Sequence, residues 1–146
     1  MTAPILELEI FLPYRLNQLA EVVSRDFARI YRDRYGLTRP EWRLLAALGQ
    51  YGTMTATAVG QHSAMHKTKV SRAVSALEKR LWLKRNPSAD DRRVEYLTLT
   101  RSGDAAYREL VPIAKTFGEK LLAQMSKADR DAVLRGLDAL ERAGST

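Results

Sequence analysis

Asn86-Pro87-Ser88-Ala89-Asp90-Asp91-Arg92-Arg93-Val94-Glu95-Tyr96-Leu97-Thr98-Leu99-Thr100 is the stretch whose reading decides the fold. A Pro/Ser/Asp turn passes into a doublet of arginines and then into a short alternating segment. Val94, Tyr96 and Thr98 fall on one side; Glu95, Leu97 and Leu99 fall on the other. Period-two alternation bounded by turn residues predicts a β-strand. Leu81-Trp82-Leu83 is expected to begin its partner, so that the pair closes across the Asn86–Asp91 turn. Two arginines at the tip of a hairpin do not belong to a core. They are held out toward something negative.

Moving outward from the hairpin, Lys67 to Arg80 predicts a helix whose buried stripe is Val70, Val74 and Leu77. Ser63-Ala64-Met65 before it suits a tight turn. A short helix of small residues ends near Gln61 and is capped by Thr53 or Thr55. Thr38-Arg39-Pro40-Glu41 is a capping box with proline in the first turn, opening a helix through Trp42, Leu44, Leu45 and Leu48 that Tyr51-Gly52 closes. Helix, short helix, turn, basic helix and arginine-tipped hairpin, in that order, is a winged helix-turn-helix.

The flanks are helical as well. Leu12, Leu16, Leu19, Val23, Phe27, Ile30 and Tyr31 form a stripe, with Pro13 in the first turn, residues 5–11 as a separate arm, and Gly36 as the stop. Thr100 caps a helix reaching about Met125, in which Pro112 predicts a kink. Ser126-Lys127-Ala128-Asp129 caps a last helix through about Ala143. The fold class expected is therefore mainly α (α+β), with about six helices and a small β-hairpin wing. Residues 37–103 form the DNA-binding region; 1–36 and 104–146 form a helical dimerisation region. Both terminal segments carry more apolar face than a small wing domain could cover, which suggests a partner helix.

The chain has 146 residues, a formal charge of +7 and a pI near 9.9. Such a balance points to an anionic partner, nucleic acid first and a membrane surface second. Between His66 and Arg101 ten Lys/Arg stand against four acids, a net of +6 that is nearly the whole excess. There is no cysteine, so no disulfide framework and no thiol switch. His62 and His66 have the four-residue spacing of a helical metal pair, but no acid completes the set, and no metal or cofactor is expected. No run of about 18 apolar residues is present, so no membrane span is expected. No charged segment followed by an apolar one opens the chain, so it is read as cytoplasmic. Nor are there paired catalytic carboxylates, a G-x-S-x-G elbow, a cysteine nucleophile or a phosphate loop. An enzyme is not expected.

The Lys67–Arg80 helix needs an apolar face to stay on the body and a donor-rich face to meet DNA. His66, Lys67, Thr68, Lys69, Ser71, Arg72 and Ser75 supply the second, since Lys and Arg can pair with guanine while Ser and Thr adapt to either partner. A basic helix alone is more often a solvated face. The hairpin tips the balance, because Arg92 and Arg93 suit the narrow, electronegative minor groove. Asp91 can brace one guanidinium through a bidentate pair, while Asp90 is ordinary turn chemistry. The competing class, a sequence-nonspecific architectural or nucleic-acid-binding protein, would show diffuse charge or exposed stacking aromatics.

Asp91-Arg92-Arg93-Val94-Glu95-Tyr96-Leu97-Thr98-Leu99-Thr100 resembles the D-x-R-x-x-x-L-x-L-T wing signature of MarR-type (multiple antibiotic resistance regulator) transcriptional regulators. Lys69 to Glu78 resembles their recognition helix, Leu99-Thr100-Arg101-Ser102-Gly103 the entry to their fifth helix, and Leu37 to Trp42 the opening of their second. The chain departs from the pattern at Gly60, where the family usually has a better helix former. The resemblance implies a homodimer on double-stranded DNA, reading a pseudo-palindrome and usually repressing until a small molecule binds. In such proteins the effector, often an aromatic carboxylate or related lipophilic anion, sits between the dimerisation helices and the DNA-binding lobe, and an aromatic carboxylate or its thioester is the effector expected here. By that analogy Tyr14, Arg15, Asn17, Trp42 and Arg43 are the ligand candidates, Arg15 as the carboxylate partner.

Overall fold

A computed structural model describes residues 3–145; residues 1, 2 and 146, at the ends of the two expected helical flanks, lie outside it. The first long helix, α1, spans Leu12–Tyr35 after a short 3-10 turn at Leu8–Ile10. It has proline in its first turn and ends on Gly36 in the left-handed region at φ 68°. α2 (Arg39–Tyr51) starts at Thr38, whose hydroxyl accepts from the Glu41 N–H and donates to the Glu41 carboxylate.

Thr55, not Thr53, caps α3 (Ala56–Ser63), accepting from the Ala58 N–H at 3.1 Å. α4 spans Lys67–Lys79, and β2 (Leu83–Pro87) runs antiparallel to β3 (Glu95–Leu99). Met54–Thr55 adds a two-residue strand, β1, on the far side of β3, giving a three-stranded sheet in the order β1-β3-β2. The hairpin expected from the alternation is thus part of a larger sheet. A two-residue strand has no period for the sequence to display.

The partner strand begins at Leu83 rather than Leu81. The α4 stop takes up the two residues between: Leu81 N–H bonds to Glu78 O at 2.9 Å and Trp82 N–H to Leu77 O at 3.0 Å. That is the paired bonding of a Schellman stop, with Leu81 at φ 65° where glycine is the usual residue. Trp82 is held by the Arg80 guanidinium over its ring at 5.1 Å and by the edge of Tyr35.

The chain divides into two compact units, the first running through Tyr107 and the second beginning at Arg108. In the first, Leu44, Leu45 and Leu48 of α2, Val59 of α3, Val70, Val74 and Leu77 of α4, and Leu83 and Leu97 of the sheet are all buried. Leu97 faces inward while Tyr96 is exposed, as the alternation requires. The second unit holds the greater part of α5 (Arg101–Ala123), with Pro112 inside it, and α6 (Lys127–Gly144), which Ser126 caps through the Asp129 N–H. Among the described residues no helix is long and apolar enough to cross a membrane.

Candidate nucleic-acid interface

The turn between α3 and α4 is built on one carbonyl. Ala64, left-handed at φ 52°, and Met65 both direct their N–H groups to Gly60 O. A Cβ on Gly60 would lie 3.1 Å from Met65 O and 3.5 Å from a Val70 methyl. The glycine that departs from the family pattern therefore has a physical reason: it lets α3 close onto the turn. His66 caps α4, its Nδ1 accepting from the Thr68 N–H at 3.2 Å.

From there the helix divides by face. Val70, Ala73, Val74 and Leu77 are buried, while His66, Lys67, Thr68, Lys69, Ser71, Arg72 and Ser75 are all exposed. The seven residues of α4 and its cap that were expected to face DNA thus all lie on the exposed side of that helix.

Arg85 of β2 ties that helix to the sheet, a role the sequence did not flag. Its guanidinium donates to Glu78 of α4 at 3.2 Å, to Glu95 of β3 at 3.4 Å and to the Ser75 hydroxyl at 3.2 Å. In the hairpin register Arg85 stands opposite the buried Leu97, on the same face of the sheet. Ser75 is thus exposed yet already engaged.

At the wing tip, Ser88 N–H reaches Val94 O at 2.8 Å and Val94 N–H reaches Asp91 O at 3.0 Å. The Ser88 hydroxyl accepts from the N–H groups of Asp90 and Asp91. Asp91 then grips Arg93 three ways: from Nε at 3.1 Å, from Nη2 at 3.3 Å and from the backbone N–H at 3.0 Å. The side-chain bonds from Arg93, then its backbone N–H, hold the Asp91 carboxyl below the usual carboxylate range. Arg93 remains 91% exposed. The brace aims the guanidinium without hiding it.

The two histidines have separate duties. His62 Nε2 lies 2.8 Å from the Tyr51 hydroxyl while His66 caps α4. Among the described residues no group of three or more His, Cys, Asp or Glu is placed to hold a metal ion.

Within one chain the ligand candidates do not converge. Trp42 stacks on Tyr31 at 5.7 Å and meets the Phe27 ring edge at 5.1 Å. Tyr14, Arg15 and Asn17 are exposed near the start of α1, about 15–25 Å along the helix from Phe27 and Tyr31 at ~1.5 Å per residue. Arg43 lies instead in a recess of about 440 Å³ with Arg39, Pro40, Ala64, Met65, His66 and Lys69. A second cavity of about 490 Å³, unforeseen from sequence, lies among α3, α4 and the sheet, with Lys67, Arg85 and Glu95 on its walls.

Residues 35–94 match the sequence model of the MarR family. The HTH-type transcriptional regulator YwoH of Bacillus subtilis is 26% identical over 119 residues, covering 82% of this chain and 85% of that one. The crystal structure of the MarR family transcriptional regulator SPO1453 from Silicibacter pomeroyi aligns over 93% of this chain and 98% of its own, with 30% identity and a TM-score of 0.77. MepR of S. aureus, solved in complex with DNA, shares the fold at a TM-score of 0.78 and 18% identity, over 92% of this chain and 99% of its own.

Proposed function

The chain belongs to the MarR family of transcriptional regulators, and from that premise we propose that it is a homodimeric repressor of a pseudo-palindromic operator, released by a small anionic effector. The observation that carries the DNA reading is the exposed polar face of α4 beside a wing whose Arg93 is aimed by Asp91. His66, Lys67, Thr68, Lys69, Ser71 and Arg72 read or grip the major groove, Arg92 and Arg93 enter the minor groove, and Ser75 and Asp91 act as much through their partners as directly. In a dimer the two reading helices would sit about 34 Å apart, one turn of duplex.

Dimerisation is supported by apolar side chains left open in each unit taken separately. Ile5, Leu6, Ile10, Phe11, Leu12 and Leu19 are exposed in the first, and Val133, Leu134 and Leu137 in the second. Isolated exposed apolar residues are ordinary, but runs of this size mark an interface. In that dimer the effector site takes Tyr14, Arg15 and Asn17 of α1 together with Trp42 of α2, Arg15 pairing the carboxylate of an aromatic acid or donating to the carbonyl oxygen of its thioester.

Binding of the full chain to the duplex upstream of its own gene, measured against an unrelated duplex at matched salt, tests the reading. Preference for the upstream duplex by a factor of 10³ or more is the range expected of a specific regulator. Equal affinity for both would make the sequence-nonspecific alternative correct. Release by aromatic carboxylates, abolished in Arg15→Ala, tests the effector site; release unchanged in Arg15→Ala and Trp42→Ala removes it.

A further inference from the structure

The recess beside α2 reaches beyond α4 and the wing, the two elements proposed to read DNA. Arg39 and Arg43 stand four apart, hence on one face of α2, and the α3–α4 turn brings His66 and Lys69 against them. Of the seven lining residues three are fixed cations, one is a histidine and none is an acid. Arg39 is already matched, donating to Glu21 of α1 at 2.6 Å. Arg43 and Lys69 are both exposed. Pro40, Ala64 and Met65 line the rest of the recess, so an anion there would meet cations over an apolar surface, where water screens them less.

Position decides what the anion is. Lys69 and His66 belong at once to the recess and to the first turn and cap of α4, so the recess continues the reading face toward α2. A helix seated in the major groove has a phosphate backbone beside its amino-terminal end. We propose that this recess is a seat for a DNA backbone phosphate, gripped by Arg43 and Lys69 and lined on its far side by Arg39. Arg43, grouped above with the effector residues by analogy, is thereby assigned to DNA. The inference rests on the proposed DNA-binding function and extends its footprint from α4 and the wing onto α2. Phosphates carry no sequence information, so the seat sets affinity and register rather than base preference.

The test is Arg43→Gln in the full chain, with Arg43→Lys beside it and Arg39 left intact because it also holds Glu21. Binding is measured from 50 to 200 mM salt on the upstream duplex and on the unrelated one. Loss of one phosphate contact lowers the steepness of the log–log salt plot by about 0.9. Affinity should fall by the same factor on both duplexes, leaving their ratio unchanged, and Arg43→Lys should restore the slope. An unchanged slope in Arg43→Gln, with an unchanged thermal melt, overturns the proposal. The other source of an anion is a free small molecule, probed by calorimetric titration of the DNA-free protein with inorganic phosphate and with benzoate. Binding lost in Arg43→Gln while the DNA slope holds assigns the recess to that anion and likewise overturns the seat. Failure of the regulator reading has a different signature: no preference between duplexes in the wild type, whatever Arg43→Gln does to the slope.

Discussion

Arg85 of β2 donates to Glu78 of α4 across 3.2 Å, joining α4 to the wing through one guanidinium. Its remaining bonds go to Glu95 and Ser75, so the charge is shared between two carboxylates and a hydroxyl. The side chain is one-third exposed, which limits each ion pair to a modest contribution. Its importance is geometric: it sets where the wing stands relative to α4.

Arg85→Ala should therefore weaken DNA binding several-fold without changing the salt slope, because Arg85 meets carboxylates rather than phosphate. Arg85→Lys should recover only part of the affinity, since a lysine cannot serve three acceptors in a plane. A reduced slope in Arg85→Ala would mean that the guanidinium touches DNA directly.

Arg93→Ala should cost about 1–3 kcal/mol of binding and lower the slope by about 0.9, while leaving the fold intact. A salt-matched gel shift with unchanged affinity would remove the wing from the mechanism.

Asp91 supplies a pH prediction. Its carboxyl is held low by Arg93, so the brace is complete above the ordinary carboxylate range of about 3.9 and is lost as pH falls through the lower folded value. Between pH 5 and 8 the wing tip should not titrate on its account. An NMR titration should place the Asp91 midpoint below that of an unstructured aspartate, and Arg93→Ala should bring it back up.

Leu81 is 75% exposed and left-handed at φ 65°, so its side chain contributes little packing to offset the backbone strain. Leu81→Gly removes about 1–2 kcal/mol of strain and adds back roughly 0.5–1 kcal/mol through the freedom of glycine in the unfolded chain. A net gain of about 0.5–1 kcal/mol in urea unfolding is expected; a loss would show that Leu81 packs in solution.

Gly103 admits no such change. An added Cβ would come 2.1 Å from Trp82 O, a backbone atom that accepts from the Thr100 N–H at 2.9 Å. Thr100 completes the corner by donating to Leu81 O and accepting from the Gly103 N–H. Gly103→Ala should destabilise by about 1–3 kcal/mol as the α5 entry is pushed off the strand. A melt within a degree of wild type would contradict that contact.

Much of this was legible from local chemistry. The caps at Thr38 and Ser126, the inward Leu97 and the bidentate Asp91–Arg93 pair each involve residues within a few positions of one another, where spacing dictates who can meet. β1 was hidden because two residues show no period, and the start of β2 because a leucine occupies a stop that glycine usually announces. Arg85 carried no signal of its role and Arg43 was grouped with the effector residues only by resemblance, because their neighbours in space lie on other elements.

By itself, then, the sequence determined the order of elements, the polar face of α4 and the arginine-tipped wing, because hydrophobic period, capping and turn residues act over one or two turns of chain. Only the tertiary structure decided which charges share a site. Arg85 joins Glu78 and Glu95, and Arg43 joins Lys69, because α2, the α3–α4 turn and the sheet pack around one core and bring together cations and acids that no spacing rule relates.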